Sequence, residues 1–123
     1  MIDSSDQLQT LNPYVSRETI KKLSDYRDSI ISAKFNLVSK KDKEHIWIRH
    51  FHDSLRLIKF FEKDEKKIKI LDIGSGAGLP GLPLSMVLDN DLFELVLCES
   101  NSKKANFIRN CCVQLDILNV QII

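Results

Sequence analysis

The sequence has few of the residues that mark extracellular or fibrous proteins. Its 123 residues include three cysteines, three prolines and four glycines. The number of cysteines is odd, and two of the three, Cys111 and Cys112, are adjacent, the third being Cys98. This arrangement excludes a disulfide framework and a paired Cys-x-x-Cys zinc site. So little glycine excludes a collagen-like repeat. These absences favour a reducing compartment, and we expect a cytoplasmic protein.

Long hydrophobic runs and an excess of charge are also missing. No stretch approaches the roughly 18 uninterrupted apolar residues of a membrane span. Residues 1–6 carry two acidic side chains where a secretory peptide would need a basic start. We therefore expect no membrane association. The net charge of +1 neither indicates nor excludes a nucleic-acid partner, because a local basic surface can coexist with a neutral total.

The first half of the chain has a helical pattern. Apolar residues spaced by three and four predict a helix at about residues 17–35, with Ser16 as its N-cap. This stripe consists of Leu23, Tyr26, Ile30, Ala33 and Leu37. A second helix is predicted to begin near Asp42 and to fade before the charged residues 62–67, which we expect to form a solvated connection. Its stripe consists of Trp47, Phe51, Leu55 and Ile58.

The second half alternates between strand and helix. Three short apolar runs predict strands and two segments between them predict helices. In chain order these are residues 68–73, 82–88, 93–98, 102–115 and 120–123. Parallel sheets are built from the order β-α-β-α-β. We therefore predict an α/β fold with a helical segment at residues 1–66 and an α/β part at residues 67–123.

A glycine-rich turn between the first predicted strand and its helix concentrates the chemistry. Gly74, Gly76 and Gly78 alternate there, where positive φ and the lack of a Cβ let a ligand approach the backbone. A nucleotide-like cofactor is the natural inference. Gly76, Gly78 and Gly81 also satisfy the dinucleotide fingerprint G-x-G-x-x-G, and Glu99 stands 21 residues after Gly78, where a ribose-binding acid belongs.

Two details favour S-adenosylmethionine over NAD. Asp72 ends the strand at a position where an acid can fix the loop or meet a cationic ligand. Pro80 and Pro83 remove N–H donors from the first helical turn, which a pyrophosphate needs and a sulfonium does not. Glu99, just beyond the second strand, can accept both ribose hydroxyls. Asp72 and Glu99 as caps of neighbouring turns remain the alternative, as do a dinucleotide-dependent oxidoreductase fragment and a non-catalytic module built on the first two helices.

Three stretches of the sequence resemble one family. They are DIGSGAGLPGLP at residues 72–83, NLVS at 36–39 followed by RHFHDSL at 49–55, and ES at 99–100 followed by Lys103, Lys104, Phe107 and Ile108. In this order they resemble the bacterial 16S ribosomal RNA guanine-N7 methyltransferases, also called the glucose-inhibited division protein B family. The similarity runs from about Tyr14 to Ile123.

The resemblance implies a Rossmann-like S-adenosylmethionine-dependent methyltransferase fold preceded by N-terminal helices. The resemblance also implies methylation of guanine N7 in 16S ribosomal RNA, with this RNA or the small ribosomal subunit as the partner. Predicted cofactor contacts lie in the glycine-rich turn, in the strand before it and after the second strand. They are Asp72, Gly74, Ser75, Gly76, Gly78, Leu79, Glu99 and Ser100. The helix that bears Arg49, His50 and Asp53 is implied to pack over the cofactor pocket.

The residues of that helix have simpler interpretations as well. Arg49 and Asp53 are i,i+4 neighbours and suit a surface ion pair. His50 and His52 point to different helix faces, so we expect no metal site.

Methylation of guanine N7 uses a lone pair already on the base, so we predict no catalytic acid or base. Catalysis would then consist of aligning guanine N7 with the sulfonium methyl group and of electrostatic stabilisation of the guanine as it becomes positive. An unpaired guanine in RNA can be splayed out and stacked. Phosphate contact and ordinary surface solubility are equal interpretations for eight lysines. These are Lys40, Lys41, Lys43, Lys66, Lys67, Lys69, Lys103 and Lys104.

The resemblance also implies a larger sheet with the strand order 3-2-1-4-5-7-6. We therefore expect a chain truncated within the third strand and inactive by itself. Its first strand would lack a neighbour on one side, and such an exposed sheet edge favours self-association or pairing with another polypeptide.

Overall fold

The N-terminal part of the structure, a computed structural model that describes residues 2–61 and 66–123, is helical. It contains α1 (Ser5–Leu11), α2 (Arg17–Ser32), α3 (Lys40–Lys43) and a composite helix at residues 46–60. The composite helix consists of a π-helix (Ile46–His52), a single turn α4 (Asp53–Leu55) and a 3-10 helix (Arg56–Phe60). None of the described helices is long and apolar enough to cross a membrane.

Helix α2 begins where the sequence predicts and ends earlier. The Ser16 side chain accepts a hydrogen bond from the Thr19 N–H at 3.1 Å and caps the helix. The chain leaves the helix at Ala33, whose φ of −59° and ψ of 139° are extended. The predicted continuation to residue 35 is therefore wrong, and Leu37 lies outside the helix. The buried stripe holds over Leu23, Tyr26 and Ile30.

The second predicted helix is broken into several pieces. Helix α3 ends at Lys43, and a new helical start follows at Ile46. The carboxylate of Asp3 accepts the N–H groups of Trp47 and Ile48 at 3.4 and 2.9 Å, which caps this new start. A side chain more than forty positions away thus sets the break, which local periodicity does not show.

Three parallel strands form the sheet of the C-terminal part. They are β1 (Ile68–Ile73), β2 (Phe93–Cys98) and β3 (Val120–Ile122), in the order β1-β2-β3. Helix α5 (Gly81–Val87) connects β1 to β2, and α6 (Ser102–Gln114) connects β2 to β3. The predicted β-α-β-α-β order and α/β class are confirmed.

One face of β1 packs inward and the other is exposed. Alternate residues of the strand are partly buried, whereas Leu71 and Ile73 are 58% and 77% exposed. Within the described part of the chain, β1 pairs with β2 alone. The sheet therefore has an open edge beside an apolar face.

The helical segment and the α/β part share one apolar core. Tyr26 of α2 stacks on Phe51 of the composite helix with ring centroids 5.4 Å apart. Buried Leu82, Leu97 and Ile108 of the α/β part belong to the same cluster. The N-terminal helices thus lie directly against the α/β part. The predicted solvated connection at residues 62–67 falls mostly on residues 62–65, outside the described residues.

Candidate functional site

The glycine loop (residues 74–81) runs from β1 to α5 and is tied to the end of β2. The N–H groups of Gly74 and Ser75 donate to the carbonyl of Cys98 at 2.9 and 3.1 Å. The Gly78 N–H donates to the Ser75 carbonyl at 2.8 Å, which closes a turn inside the loop. The loop is therefore fixed at the carboxyl ends of two strands, where open α/β sheets bind ligands.

The glycines of this loop differ in the space beside them. A Cβ added at Gly74 or Gly76 would meet nothing within 4 Å. At Gly78 it would lie 2.7 Å from Leu82 Cδ1 and 3.1 Å from the Tyr26 hydroxyl. Gly74 and Gly76 thus border free space, whereas Gly78 lets the protein pack against itself.

Asp72 holds the far end of the loop. Its Oδ2 accepts the N–H of Gly81 at 3.1 Å, and its backbone carbonyl accepts the Ser75 hydroxyl at 3.1 Å. Burial raises the pKa of this half-buried carboxyl, and the bond from the Gly81 N–H opposes the increase. Of the two roles considered for Asp72, the structure shows contacts that fix the loop.

Glu99 joins the near end of the loop to the start of α6. Its Oε1 accepts the Gly76 N–H at 2.7 Å, and its Oε2 accepts the Asn101 N–H at 2.9 Å. Both hydrogen bonds lower the pKa of Glu99, and the bond from the Asn101 N–H has the larger effect. The carboxylate is therefore charged at neutral pH and lies at the rim of the free space beside the loop.

A cavity of about 540 Å³ opens at the ends of the three strands, within the usual size of ligand pockets. It is lined by Ile73, Gly74, Cys98, Glu99, Ser100 and Ile123. Three of the predicted contacts, Gly74, Glu99 and Ser100, are therefore brought together. The other three lining residues, Ile73, Cys98 and Ile123, were not predicted, although each is the last residue of a predicted strand and so marks the edge of the sheet.

The other predicted contacts do not line this cavity: Asp72 lies in β1, and Gly76 borders free space without lining the cavity. Ser75 and Gly78 are buried on the inner side of the loop. Leu79 lines a second cavity, of about 220 Å³, which has no lining residue in common with the first. This second cavity is also lined by Arg49, His50, Asp53, Ser54 and Pro80. The composite helix thus contacts the loop at its Leu79–Pro80 end.

The alternative interpretation of Arg49 and Asp53 as an ion pair with each other is wrong. Arg49 Nη1 lies 3.6 Å from Asp42 Oδ1, and Asp53 pairs with Arg56 at 3.6 Å. Residues 46–52 form a π-helix, whose hydrogen bonds join residues five apart, so that i and i+4 no longer face each other.

The two histidines of this region contact different residues. His50 Nε2 lies 3.3 Å from Asp42 Oδ2. His52 Nδ1 lies 3.0 Å from the side-chain nitrogen of Asn12, at the end of α1. Their side chains therefore do not converge on a common point.

Tyr26 contributes a loop contact that the sequence analysis missed. Its hydroxyl donates to the carbonyl of Ala77 at 2.6 Å, from a fully buried position. Burial raises the pKa of Tyr26 well above its ordinary value, so the phenol stays protonated and remains a donor. The available signal was a tyrosine in an apolar helical stripe, because a buried hydroxyl requires a hydrogen-bond partner.

The first turn of α5 has its donors engaged. The Gly81 N–H donates to Asp72, the Leu82 N–H donates to the Gly78 carbonyl at 2.7 Å, and Pro83 has no N–H. A pyrophosphate needs such donors, so this turn disfavours a dinucleotide. The free space beside Gly74 and the charged Glu99 fit a cofactor with a ribose and no phosphate.

Comparison with known proteins identifies close relatives. A family model described as "rRNA small subunit methyltransferase G" matches residues 19–123. The protein of that name from Oenococcus oeni is 40% identical over 90 residues, which cover 73% of this chain and 36% of the relative. The one from Mycoplasma mycoides is 36% identical, with 89% and 78% covered. The one from Sorangium cellulosum is 32% identical, with 96% and 49% covered.

The fold is also found in a solved structure. A protein-L-isoaspartate O-methyltransferase superposes on 98% of this chain with a TM-score of 0.58 and 17% identity, and 41% of its own length is covered. This likeness shows the fold. The chain spans less than half the length of the relatives from Oenococcus oeni and Sorangium cellulosum. It spans 78% of the relative from Mycoplasma mycoides.

Proposed function

Because the chain belongs to the rRNA small subunit methyltransferase G family, a family of methyltransferases, we propose that it binds S-adenosylmethionine in the cavity lined by Gly74, Glu99 and Ser100. We propose further that the bound cofactor serves the methylation of guanine N7 in 16S ribosomal RNA. The small ribosomal subunit or its RNA is then the partner, and the cytoplasm is the compartment.

One observation carries the cofactor proposal: free space beside Gly74 faces a charged acid at Glu99. Each carboxylate oxygen of Glu99 accepts one backbone N–H and keeps a further lone pair. Glu99 can therefore accept ribose hydroxyls without giving up its hold on Gly76. The backbone of Gly74, which lacks a Cβ, lets the ligand approach the sheet edge.

The proposed chemistry requires little from side chains. Guanine N7 has its own lone pair, so no residue needs to remove a proton before attack. When bound, S-adenosylmethionine supplies the methyl group on a positive sulfonium. The protein aligns the two reacting atoms, and we assign no catalytic residue.

The cofactor proposal is tested by calorimetric titration of the chain with S-adenosylmethionine and, separately, with NAD. We expect S-adenosylmethionine to bind and NAD not to bind. Glu99→Gln should weaken binding, whereas Glu94→Gln, at the start of β2 and remote from the cavity, should not. Preference for NAD, or equal affinity for Glu99→Gln and the parent, would refute the proposal.

The exposed side of the sheet bears on activity. Leu71 and Ile73 are exposed next to the proposed cofactor cavity, which Ile73 itself lines. We propose that the chain alone transfers no methyl group, because none of the described residues shields this side of the site from solvent. Incubation with labelled S-adenosylmethionine and small-subunit RNA tests this. Methyl transfer at guanine N7 by the chain alone would contradict it.

The same edge is the basis for a proposed self-association. A parallel edge strand with exposed apolar residues can pair with a second copy, and on the exposed face of β1 Lys69 is the one charged residue that opposes such pairing. Sedimentation at increasing concentration should show dimers or larger species, and Leu71→Glu should reduce them. A monomer at all concentrations would refute the idea.

A further inference from the structure

A second candidate binding site lies between α2 and α6, away from the cofactor cavity. It is a cavity of about 340 Å³ whose lining includes Ser29, Phe35, Lys103, Asn106, Phe107 and Asn110. None of these residues lines the cavity that contains Gly74 and Glu99. The proposed cofactor therefore leaves this pocket free for another ligand.

Four of the lining residues form one stripe on α6. Lys103, Asn106, Phe107 and Asn110 follow at spacings of three, one and three, which places them on the same side of a helix. Phe107 and Phe35 are both half-buried and line the cavity, and Phe107 also packs against the core. The pocket thus offers two half-buried aromatic rings with polar groups beside them.

The polar groups are suited to a ligand with both donors and acceptors. Asn106 and Asn110 are exposed amides, and each carries one acceptor oxygen and two N–H donors. Arg109 Nη1 donates to Asn106 Oδ1 at 3.2 Å, which fixes the orientation of this amide. The amide nitrogen of Asn106 can then donate to a ligand. Such amide pairs recognise the edges of nucleobases.

The charge around the pocket is positive. Its lining contains Lys103 and no carboxylate. Lys34, next to Phe35, and Arg109 add positive charge nearby. The adjacent acid Asp28 pairs with Arg27 at 3.5 Å. The positive charge favours an anionic ligand. The lining contains no acid that could accept ribose hydroxyls as proposed for Glu99.

We propose that this pocket binds an unpaired nucleotide of the RNA substrate, adjacent to the guanine that is methylated. Aromatic rings, amides and a lysine around a cavity of this size match the chemistry of a base and its phosphate. The methylated guanine itself must reach the cofactor cavity, so the nucleotide held here is a neighbour. Lys103 lies in the first turn of α6 and follows Glu99 by four residues, so the Lys103 end of this pocket is the end next to the cofactor cavity along the chain. The inference rests on the proposed function.

The test is fluorescence anisotropy of a labelled single-stranded RNA oligonucleotide with the full chain. Replacing Asn106 and Asn110 together by Ala, or Lys103 by Gln, should weaken binding by about tenfold, the range in which loss of base contacts falls. The controls are Asn90→Ala, an exposed amide in the α5–β2 connection, and Lys21→Gln, an exposed lysine of α2. Both should bind as the parent does. Duplex RNA should bind more weakly than single-stranded RNA.

Calorimetry with S-adenosylmethionine separates this inference from the proposed function. The pocket variants should keep the parent's affinity for the cofactor. If they bind cofactor and RNA as the parent does, the pocket is refuted and the proposed function stands. If Lys103→Gln alone weakens RNA binding, attraction is only electrostatic and the pocket is also refuted. A parent chain that binds no S-adenosylmethionine refutes the proposed function, whatever the RNA data show.

Discussion

The two halves of the glycine loop use the same residue for different purposes. Gly74 and Gly76 border free space, and Gly74 lines the cavity, whereas a Cβ at Gly78 or Gly81 would collide with the core. At Gly81 the collision is with Leu97 Cδ1, at 2.8 Å. The first half therefore keeps room for a ligand, and the second keeps room for the packing of α5 on the sheet.

This division affects how the motif is interpreted. The dinucleotide fingerprint takes Gly76, Gly78 and Gly81 as one unit, but two of them face the interior. Their presence alone therefore indicates close packing of a helix on a strand as well as ligand binding. The distinction can be tested by substitutions that affect either stability or cofactor affinity.

The largest effect on stability is expected for Gly78→Ala. The new methyl group would overlap Leu82 and press on the Tyr26 hydroxyl, at a φ of 96° that side chains rarely adopt. Strain and overpacking together should lower the free energy of unfolding by about 2–4 kcal/mol. Urea denaturation followed by circular dichroism measures this. A loss no greater than that for Gly76→Ala would remove the difference between the two halves.

Gly74→Ala should affect the ligand more than the fold. Its φ of 73° costs an alanine about 1–2 kcal/mol, but no neighbour has to move. The added methyl group occupies space at the cavity wall, so affinity for S-adenosylmethionine should fall by about tenfold or more, equal to at least 1.4 kcal/mol. Calorimetry and denaturation of the same sample give both values. Unchanged affinity with a large loss of stability would place Gly74 with the packing glycines.

Tyr26→Phe tests whether the N-terminal helices set the position of the loop. Loss of the hydroxyl leaves the Ala77 carbonyl without this donor and should cost about 1–2 kcal/mol of stability. Cofactor affinity of the folded protein should fall about threefold, because the loop is less well fixed. The matched control is Tyr14→Phe, an exposed tyrosine whose hydroxyl lies 3.5 Å from Asn12. Loss of stability with unchanged affinity would limit Tyr26 to a role in the core.

The smallest expected effect is a pH dependence through Glu99. Its pKa in the folded protein lies below the ordinary 4.5, so the ionised form stabilises the loop above that pH. This stabilisation is lost as the pH falls through the lowered pKa. The difference in Tm between the parent and Glu99→Gln should therefore be largest above pH 5 and shrink in acid. A difference that grows as the pH falls would contradict the assigned contacts.

The parts of the fold that depend on local sequence were predictable. Strands β1 and β2 end where predicted, because an apolar run followed by glycines or by polar residues is a local signal. Helix α1 was missed because Leu8 is its one buried residue, too little for a periodic pattern. The break before Ile46 depends on Asp3, which is close only in the folded chain.

The site was predictable to a similar degree. Gly74, Glu99 and Ser100 follow strand ends, so the topology alone brings them to one edge. The contact between Tyr26 and Ala77 joins residues 51 positions apart, and it requires knowledge of how α2 packs. The ion pairs of Arg49 and Asp53 depend on a π-helix, which spacing rules for an α-helix do not describe.

The most direct test of the account is to map S-adenosylmethionine binding by amide chemical-shift changes. We expect the largest shifts at Gly74, Gly76, Glu99 and Ser100, with the Gly81 amide little changed. The same titration with NAD should leave these amides unperturbed. Shifts confined to the second half of the loop, or none at Gly74 and Glu99, would contradict the assignment of the cofactor site.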